Sequence, residues 1–443
     1  MTSRPALALP AMATVATVAA VAAVAAVVVT LLPATPARAA AGAVPVLGTG
    51  RAFSAALPAP DGGPGGSARV TSDPVNGRTC VSTSGLPGGA TLALSATVTG
   101  ARTALGRAAA PGCVSLPPDV AGDLLAHPDT YSLVLTPAAA PDGGPGGPEV
   151  SGTLAAAAPA TRPYAVGTRT ATLVDRTRGT ARRGAVAPAP ARALAVTYYY
   201  PAQGPAGAVT RDAEADLEGP FPVVLFAHGF ASTPTGYART LRAWAEAGYV
   251  VAAPLFPGSG AGLPGRPTEA DITAQPRDLR VVLDSLEQAA VDPGSWLGGI
   301  ADTHRVAVAG HSDGGSTAAA AGLLQGYTDP RYDAVIVMAG ARFTGAPARR
   351  ALPLLLLSGE RDEYNAPSTF ARVFNTGRGP RTWVQALRGS HGGPFTVGGA
   401  QAEALRGLEI AFLDRWLLGA DTRGVEARLG TVPGLTKVRA GGF

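Results

Sequence analysis

From residue 164 onward, short apolar runs alternate with amphipathic segments of helix length. The apolar runs predict strands at Ala171–Val174, Leu194–Tyr200, Val223–Ala227, Val250–Ala253, Val306–Ala309, Ala334–Met338, Leu354–Leu357 and Thr382–Leu387. The amphipathic segments predict helices at Gly236–Ala247, Gln275–Gln288, Gly314–Leu324, Pro367–Phe374 and Ala402–Leu418. The first strands look antiparallel, and the later near-continuous apolar runs suit strands buried on both faces. This order predicts an α/β fold, with a mostly parallel sheet covered by helices on both faces.

Residues 44–154 have a different pattern, in which short apolar stretches are separated by turns rich in Gly, Pro and Asp. Strand-like alternation recurs at Ala68–Thr71, Thr91–Thr99 and Tyr131–Leu135, and one helical candidate lies at Ala121–Ala126. Short strands at this spacing predict a small all-β sandwich. Residues 155–163, rich in Ala and Pro, predict a linker, so residues 164–443 are expected to form the second domain.

The amino-terminal residues 1–39 have the parts of a secretory signal peptide. Arg4 gives the amino-terminal region a positive charge, and an apolar stretch follows that is densest over Met12–Leu32. Ala37-Arg38-Ala39 then matches the small-x-small pattern of a cleavage site. We expect removal after Ala39 and a secreted protein without a stable membrane span. The alternative is an uncleaved membrane anchor, because the apolar run approaches the roughly 20 residues that a spanning helix needs.

Two cysteines, Cys80 and Cys113, are the whole cysteine content of the chain. In an oxidising compartment we expect them to form a disulfide, which would stabilise the fold by roughly 3–4 kcal/mol in the chain-entropy model. The alternative is a pair of buried thiols.

The charge pattern excludes one class of function. The chain has 36 basic and 31 acidic residues, for a formal net charge of +5, and no basic run is longer than two residues. Nucleic-acid binding needs a clustered basic stripe, so we expect no nucleic-acid partner. The 5 histidines show no metal-ligand spacing, and we therefore predict neither a metal nor a cofactor. The oligomeric state is not indicated.

The segment Gly310-His311-Ser312-Asp313-Gly314 follows a predicted buried strand and precedes a predicted helix. This G-x-S-x-G pattern in a strand–turn–helix context is typical of a nucleophile elbow, in which a strained serine projects above the sheet. Only glycine at positions 310 and 314 is expected to leave room for the crossing chain. Ser312 is therefore the predicted nucleophile, at the positive end of the following helix.

Two main-chain N–H groups are candidates for stabilising an oxyanion. Phe230 follows His228-Gly229 at the end of a predicted strand, where a glycine-containing turn can aim an N–H at the site. Asp313 directly follows the nucleophile and supplies the second N–H. We expect the Asp313 side chain to point outward, because a carboxylate would oppose an oxyanion. The His228 side chain is expected to hydrogen-bond its own loop.

A carboxylate and a histidine follow in the chain order that this fold requires. Asp362 lies in the loop after the all-Leu strand, at the usual offset for an acid that fixes an imidazole, and the neighbouring Glu360 and Glu363 are expected to be solvated. His391 lies on a late glycine-rich loop that can reach over the site. Ser312, Asp362 and His391 therefore form the predicted catalytic set.

Several segments carry a resemblance to the α/β-hydrolases. They are Tyr199–Ala202, Gly219–Pro222, Gln275–Asp278, Val281–Asp284 and the Gly310–Gly315 elbow. The chain is most similar to the group of platelet-activating-factor acetylhydrolases and chlorophyllases, with bacterial proteins labelled dienelactone-hydrolase-like. The resemblance implies a serine esterase of the α/β-hydrolase fold. True dienelactone hydrolases use a cysteine nucleophile, whereas this chain has Ser312. The substrate of this chain should therefore not be inferred from the dienelactone-hydrolase-like label.

The resemblance implies acyl transfer to water, with a small-molecule or polymer ester as substrate, lipid-like or bulky. The short connection over residues 340–353 offers no room for a cap domain and predicts an open site. One alternative is a polyester or cutin-type hydrolase. The other is an extracellular binding protein that uses the hydrolase domain as a scaffold.

The region before the linker is similar to the closing half of a CHRD (chordin-type) domain. The similarity is carried by Gly112–Ser115, Leu124–Tyr131 and Pro145–Leu154. The central histidine-containing strand of that family has no counterpart here, since Leu92–Thr99 contains no histidine. We therefore interpret this region as a binding or spacer module without assigned chemistry.

Overall fold

The structure is a computed structural model. It describes residues 51–442 except for 59–64, 73–77, 85, 87–89, 98, 108–111, 139–147, 157–161, 217, 293–294, 299, 341, 344 and 421–433. The predicted signal peptide lies outside the described residues. None of the helices in the described ranges is both long and apolar enough to span a bilayer.

A ten-stranded sheet forms the centre of the part of the chain that follows residue 164. Its strands are β10 (Ala165–Asp175), β11 (Arg192–Ala202), β12 (Val209–Arg211), β13 (Phe221–Ala227), β14 (Val250–Leu255), β15 (Ala301–His311), β16 (Tyr332–Met338), β17 (Leu354–Gly359), β18 (Arg381–Ala386) and β19 (Leu435–Gly441). The spatial order is β12-β10-β11-β14-β13-β15-β16-β17-β18-β19. Strands β13 to β18 run parallel to one another, whereas β10 pairs with β11, β11 with β14 and β18 with β19 in antiparallel fashion. The predicted mostly parallel sheet is confirmed.

Helices connect the strands and cover the sheet. They are α2 (Ala238–Glu246), α3 (Gln275–Val291), α4 (Asp313–Leu323), α5 (Pro367–Thr376), the short α6 (Gly393–Thr396) and α7 (Ala400–Leu418). Single turns of 3₁₀-helix lie at Pro234–Tyr237 and Glu269–Thr273. Every helix predicted after residue 164 is present, with ends within two or three residues of the prediction.

The core lies on both faces of the sheet because successive side chains of a strand point to opposite sides. In β17, Leu354 and Leu356 join a cluster with α3, α4 and α5, whereas Leu355 and Leu357 join a second cluster with α2 and α7. All four leucines are at most 1% exposed. Burial on both faces explains why this strand is apolar at every position and not at alternate ones.

The amino-terminal region forms two smaller antiparallel sheets. Its strands are β1 (Arg51–Leu57), β2 (Gly66–Ser72), β3 (Arg78–Ser84), β4 (Thr91–Ala96), β5 (Arg102–Arg107), β6 (Gly112–Ser115), β7 (Tyr131–Thr136), β8 (Val150–Thr153) and β9 (Ala155–Ala156). One sheet has the order β6-β3-β2-β1-β9, and the other has the order β5-β4-β7-β8. Helix α1 (Pro118–Ala126) and a 3₁₀ turn at Pro128–Thr130 lie before β7. One apolar cluster is shared by residues of both sheets.

Two details of this region bear on the sequence predictions. Strand β9 pairs with β1, so the first two residues of the predicted linker 155–163 are part of a sheet. The division into domains otherwise stays a prediction. Strands β3 and β6 pair with Cys80 opposite Cys113. The two cysteine side chains lie outside the described part, so the disulfide also stays a prediction.

Candidate active site

Ser312 lies in the turn between β15 and α4, at the carboxyl edge of the sheet. Its φ is +59° and its ψ is −123°, a backbone conformation that costs a residue with a side chain energy and is typical of functional sites. The turn is held by a hydrogen bond from the Ser312 N–H to the Met338 carbonyl oxygen, at 2.9 Å. The strained turn raises the serine hydroxyl clear of the strand.

The glycines around Ser312 are required by close backbone approach. A Cβ at position 310 would lie 2.2 Å from the Gly314 carbonyl oxygen, and a Cβ at position 314 would lie 2.0 Å from the Ala227 carbonyl oxygen. Both contacts are with backbone, which cannot move aside cheaply. The turn therefore accepts only glycine at these two positions, as the sequence predicts.

The structure brings the three predicted residues into one hydrogen-bonded series. The Oγ of Ser312 lies 2.8 Å from Nε2 of His391, and Nδ1 of His391 lies 2.9 Å and 3.0 Å from the two carboxylate oxygens of Asp362. Because a carboxylate only accepts, Nδ1 carries the proton and donates it to Asp362. Nε2 is then free to accept from the serine hydroxyl, which is the arrangement that activates a serine.

The carboxylate of Asp362 is held ionised by its own loop. Its Oδ1 also accepts the N–H groups of Tyr364 and Asn365, at 3.0 Å and 2.9 Å. Burial acts to raise the pKa of Asp362, but the hydrogen bonds from His391 and from these two N–H groups outweigh it. The pKa of Asp362 therefore lies below its ordinary value, and the group stays charged at neutral pH.

Glu363 and Glu360 are exposed but not free of partners. Glu363 accepts the N–H of His391 at 2.9 Å, and Glu360 accepts the N–H of Arg388 at 2.6 Å. Arg388 has a φ of +57°, so this second bond holds a strained residue near the start of the His391 loop. Both glutamates are predicted to be solvated, and these two contacts were not foreseen because the sequence contains no signal for them.

A buried chain of hydrogen bonds links the His391 loop to the Gly229 loop. The Gly229 N–H donates to the Tyr237 hydroxyl at 3.2 Å, Tyr237 lies 2.9 Å from Nδ1 of His311, and Nε2 of His311 lies 2.9 Å from the His391 carbonyl oxygen. Since a carbonyl only accepts, Nε2 of His311 carries the proton, and Nδ1 accepts from Tyr237. Burial lowers the pKa of His311 to about 4, so the ring is neutral. His311 packs below the nucleophile and fixes the main chain of His391.

We expect Tyr237→Phe to lower kcat for an ester roughly tenfold while changing KM less than twofold. The substitution leaves a buried Gly229 N–H and a buried His311 Nδ1 without this partner, which loosens both loops while the ring that lines the cleft is kept. Steady-state kinetics measures kcat and KM separately and so tests this expectation. The matched control is Tyr332→Phe, because within the described residues the Tyr332 hydroxyl has no hydrogen-bond partner. An equal loss in both variants, or a change in KM alone, would contradict the positioning role.

His228 does not reach the hydrogen-bonded series. Its Nδ1 lies 2.8 Å from the Gly229 carbonyl oxygen, and its Nε2 accepts the Phe256 N–H at 3.0 Å. Burial lowers the pKa of His228 to about 4, so the ring is neutral. As the sequence predicts, this histidine holds its loop.

Phe230 and Asp313 both line the cleft beside Ser312. Within the described part of the chain, neither the Phe230 N–H nor the Asp313 N–H donates to a protein acceptor. Two unengaged main-chain donors beside a serine hydroxyl are what an oxyanion site needs. Their assignment to that role stays a prediction.

The cleft over Ser312 has a volume of about 380 Å³. Its lining combines aromatic, polar and charged residues: Gly229, Phe230, Tyr237, Glu269, His311, Ser312, Asp313, Ser316, Arg342, Tyr364, Asn365 and His391. Tyr364 is 76% exposed, and its ring lies edge-on to that of His391 with centroids 4.9 Å apart. Glu269 and Arg342, which sequence reasoning did not identify, form an ion pair at 2.6 Å on the rim.

The expectation that the Asp313 side chain points outward is wrong. Asp313 is 5% exposed and lines the cleft, with Oδ1 3.4 Å from Nε of Arg342. The arginine offsets part of the carboxylate charge, which is why a carboxylate can be buried next to the nucleophile. The described residues include no cluster of three or more His, Cys, Asp or Glu side chains arranged to hold a metal ion.

Known proteins resemble this chain in sequence and in structure. The chlorophyllase family matches residues 210–382, which is less than half of the chain. A solved ferulic acid esterase from Streptomyces cinnamoneus is 26% identical, with a TM-score of 0.52, and the match covers 64% of this chain and 98% of that chain. No curated protein sequence matches the chain.

The family match does not reach the amino-terminal region, so the CHRD resemblance stays a prediction. The resemblances to platelet-activating-factor acetylhydrolases and to dienelactone-hydrolase-like proteins also stay predictions. The two matches confirm the α/β-hydrolase fold predicted from the sequence, and they support an esterase built on it.

Proposed function

We propose that this chain is a serine hydrolase that cleaves carboxylic esters through an acyl-enzyme intermediate. One observation carries the proposal: Ser312 Oγ lies 2.8 Å from Nε2 of His391, whose Nδ1 lies 2.9 Å from Asp362, at a turn with a positive φ. The likeness to a ferulic acid esterase supports an ester as substrate.

The first half-reaction acylates the serine. Nε2 of His391 takes the hydroxyl proton while Oγ of Ser312 attacks the ester carbonyl carbon, and Asp362 stabilises the resulting imidazolium. The N–H groups of Phe230 and Asp313 stabilise the oxyanion. Collapse of the tetrahedral intermediate breaks the bond to the alcohol oxygen. His391 gives its proton to that oxygen, and the alcohol leaves.

The second half-reaction restores the enzyme. A water gives a proton to Nε2 of His391 as its oxygen attacks the acyl carbon. The second tetrahedral intermediate uses the same two N–H groups. When it collapses, the proton on His391 returns to Oγ of Ser312 and the carboxylic acid is released. No group beyond these side chains, main-chain donors and water is needed for the atoms to balance.

The cleft sets limits on the substrate. Three charged side chains, Glu269, Asp313 and Arg342, line it, which disfavours a long alkyl chain and favours a short or polar group beside the ester. Phe230 and Tyr364 are 37% and 76% exposed at the same cleft, which would let a bulky aromatic ester or a polyester chain lie across it. Polyester hydrolysis is therefore the second candidate.

Export is part of the proposal. The signal-like residues 1–39 support a secreted enzyme. The register that places Cys80 opposite Cys113 supports a disulfide in that compartment. The amino-terminal sheets are proposed to be a binding or spacer module.

A fluorophosphonate probe tests the proposal directly, because it labels a serine only when a neighbouring base has made its oxygen nucleophilic. We expect one labelled site, mapped by mass spectrometry to Ser312, with loss of labelling after heat denaturation. Absence of label from the folded protein would favour the alternative, in which the hydrolase domain is a scaffold for binding.

A further inference from the structure

The side chain of Asp313 is an unsatisfied acceptor inside the proposed active site. It directly follows Ser312, is 5% exposed and lines the cleft. Its Oδ2 is buried and has no hydrogen-bond partner among the described residues. Buried polar atoms in native proteins are nearly always paired, so this oxygen calls for a partner that the described residues do not supply.

Arg342 does not donate a hydrogen bond to Oδ2 of Asp313. Its Nη1 lies 2.6 Å from Glu269, whereas its Nε lies 3.4 Å from Oδ1 of Asp313, which is longer than a good charge-assisted hydrogen bond. The Arg342 N–H donates to the Ser316 hydroxyl at 2.9 Å, so the main chain is fixed at this point. Burial raises the pKa of Asp313 while Arg342 acts to lower it, as expected for a carboxylate that is only partly compensated.

The charges around Asp313 decide what kind of partner fits. A substrate ammonium group would be repelled by the guanidinium of Arg342, which lies within 3.4 Å of the same carboxylate. A substrate carboxylate would meet both Asp313 and Glu269. A neutral hydroxyl carries the donor that the carboxylate lacks and has no charge to be repelled.

We propose that Asp313 selects esters that carry a hydroxyl close to the ester group, by accepting a hydrogen bond from that hydroxyl. This inference rests on the proposed function, since it names the substrate class of the same site. A site with a buried acceptor discriminates against the analogue without the donor, because the acceptor is then left unpaired in the complex. The hydroxyl can belong to the acyl part or to the alcohol part of the ester, and the chemistry is the same for both.

Two matched substrate pairs test the proposal on the full-length protein. The acyl pair is 4-nitrophenyl 3-hydroxybutyrate against 4-nitrophenyl butyrate, and the alcohol pair is 2-hydroxyethyl butyrate against propyl butyrate. We expect kcat/KM to favour the hydroxylated member of one pair at least roughly tenfold. In Asp313→Ala that ratio should fall close to one. Asp313→Asn keeps an acceptor oxygen and should retain part of the preference.

A control and the contrary outcomes complete the test. Asp212→Asn removes an exposed carboxylate that pairs with Arg169 outside the cleft, and the ratio should not change. No hydroxyl preference in either pair, or a preference that persists in Asp313→Ala, would overturn the inference while ester turnover stands. Failure of the proposed function gives a different result, because then no ester is turned over and Ser312 is not labelled by a fluorophosphonate.

Discussion

Ser312→Ala should lower kcat for a soluble aryl ester by roughly 10³–10⁶-fold, the range seen when the nucleophile of such a set is removed. The substitution deletes the one oxygen that lies 2.8 Å from Nε2 of His391. The remaining donors and the cleft can still bind an ester, so the loss should be in kcat and not in KM. The rate of 4-nitrophenyl butyrate hydrolysis, with the uncatalysed rate subtracted, gives kcat for both proteins.

The matched control for this experiment is Ser368→Ala, an exposed serine in the first turn of α5. It should retain wild-type turnover. Circular dichroism of both variants should match the native protein, because neither change removes a buried side chain. Turnover in Ser312→Ala within tenfold of wild type would refute the proposed mechanism.

Asp362→Asn should lower kcat by roughly 10⁴-fold without unfolding the protein, as expected when the acid of a serine–histidine–acid set becomes an amide. In the native site the carboxylate accepts from Nδ1 of His391 and leaves Nε2 free to accept from Ser312. An amide group can donate to Nδ1, which favours the wrong tautomer and puts the proton on Nε2. The kinetic loss should exceed that of any other carboxylate variant near the site.

Glu363→Gln is the matched comparison, because an amide oxygen can still accept the His391 N–H that Glu363 now accepts. Its kcat should fall less than tenfold. If Glu363→Gln lost as much activity as Asp362→Asn, the assignment of the acid would be wrong. The pKa of Asp362 lies below its ordinary value, so the carboxylate is fully ionised at neutral pH. We therefore expect its contribution to kcat to be lost only as the solution becomes strongly acidic and the carboxylate is protonated.

Much of the site could be predicted from the sequence because its signals are local. The elbow at Ser312 needs glycine two positions to each side, and the contacts of 2.2 Å and 2.0 Å that a Cβ would make show why. Asp362 follows the strand that is apolar at every position from Leu354 to Leu357, and His391 follows the last predicted strand, so chain order and strand ends were enough to choose them. The geometry then brings all three within hydrogen-bond distance.

Features that depend on contacts between distant segments could not be predicted in this way. Strands β12 and β19 carry polar, exposed residues, and they are strands only because the sheet offers an edge to pair with. Tyr237 and His311 are 74 positions apart, and nothing near either residue indicates their hydrogen bond. The burial of Asp313 likewise depends on Arg342, which comes from a connection after the next strand.

The loops that hold the reacting residues differ from the connections that form the mouth of the cleft, so the two can change separately in engineering and in evolution. The reacting set is anchored by glycines, buried histidines and strand ends, whereas Glu269 and Arg342 come from separate connections at the mouth of the cleft. Glu269 is exposed and can be exchanged without removing a partner of the imidazole, whereas a substitution at position 342 has to keep a positive charge beside the buried Asp313. A library that keeps a basic residue at position 342 should therefore yield variants with new ester preferences at nearly constant catalytic rate.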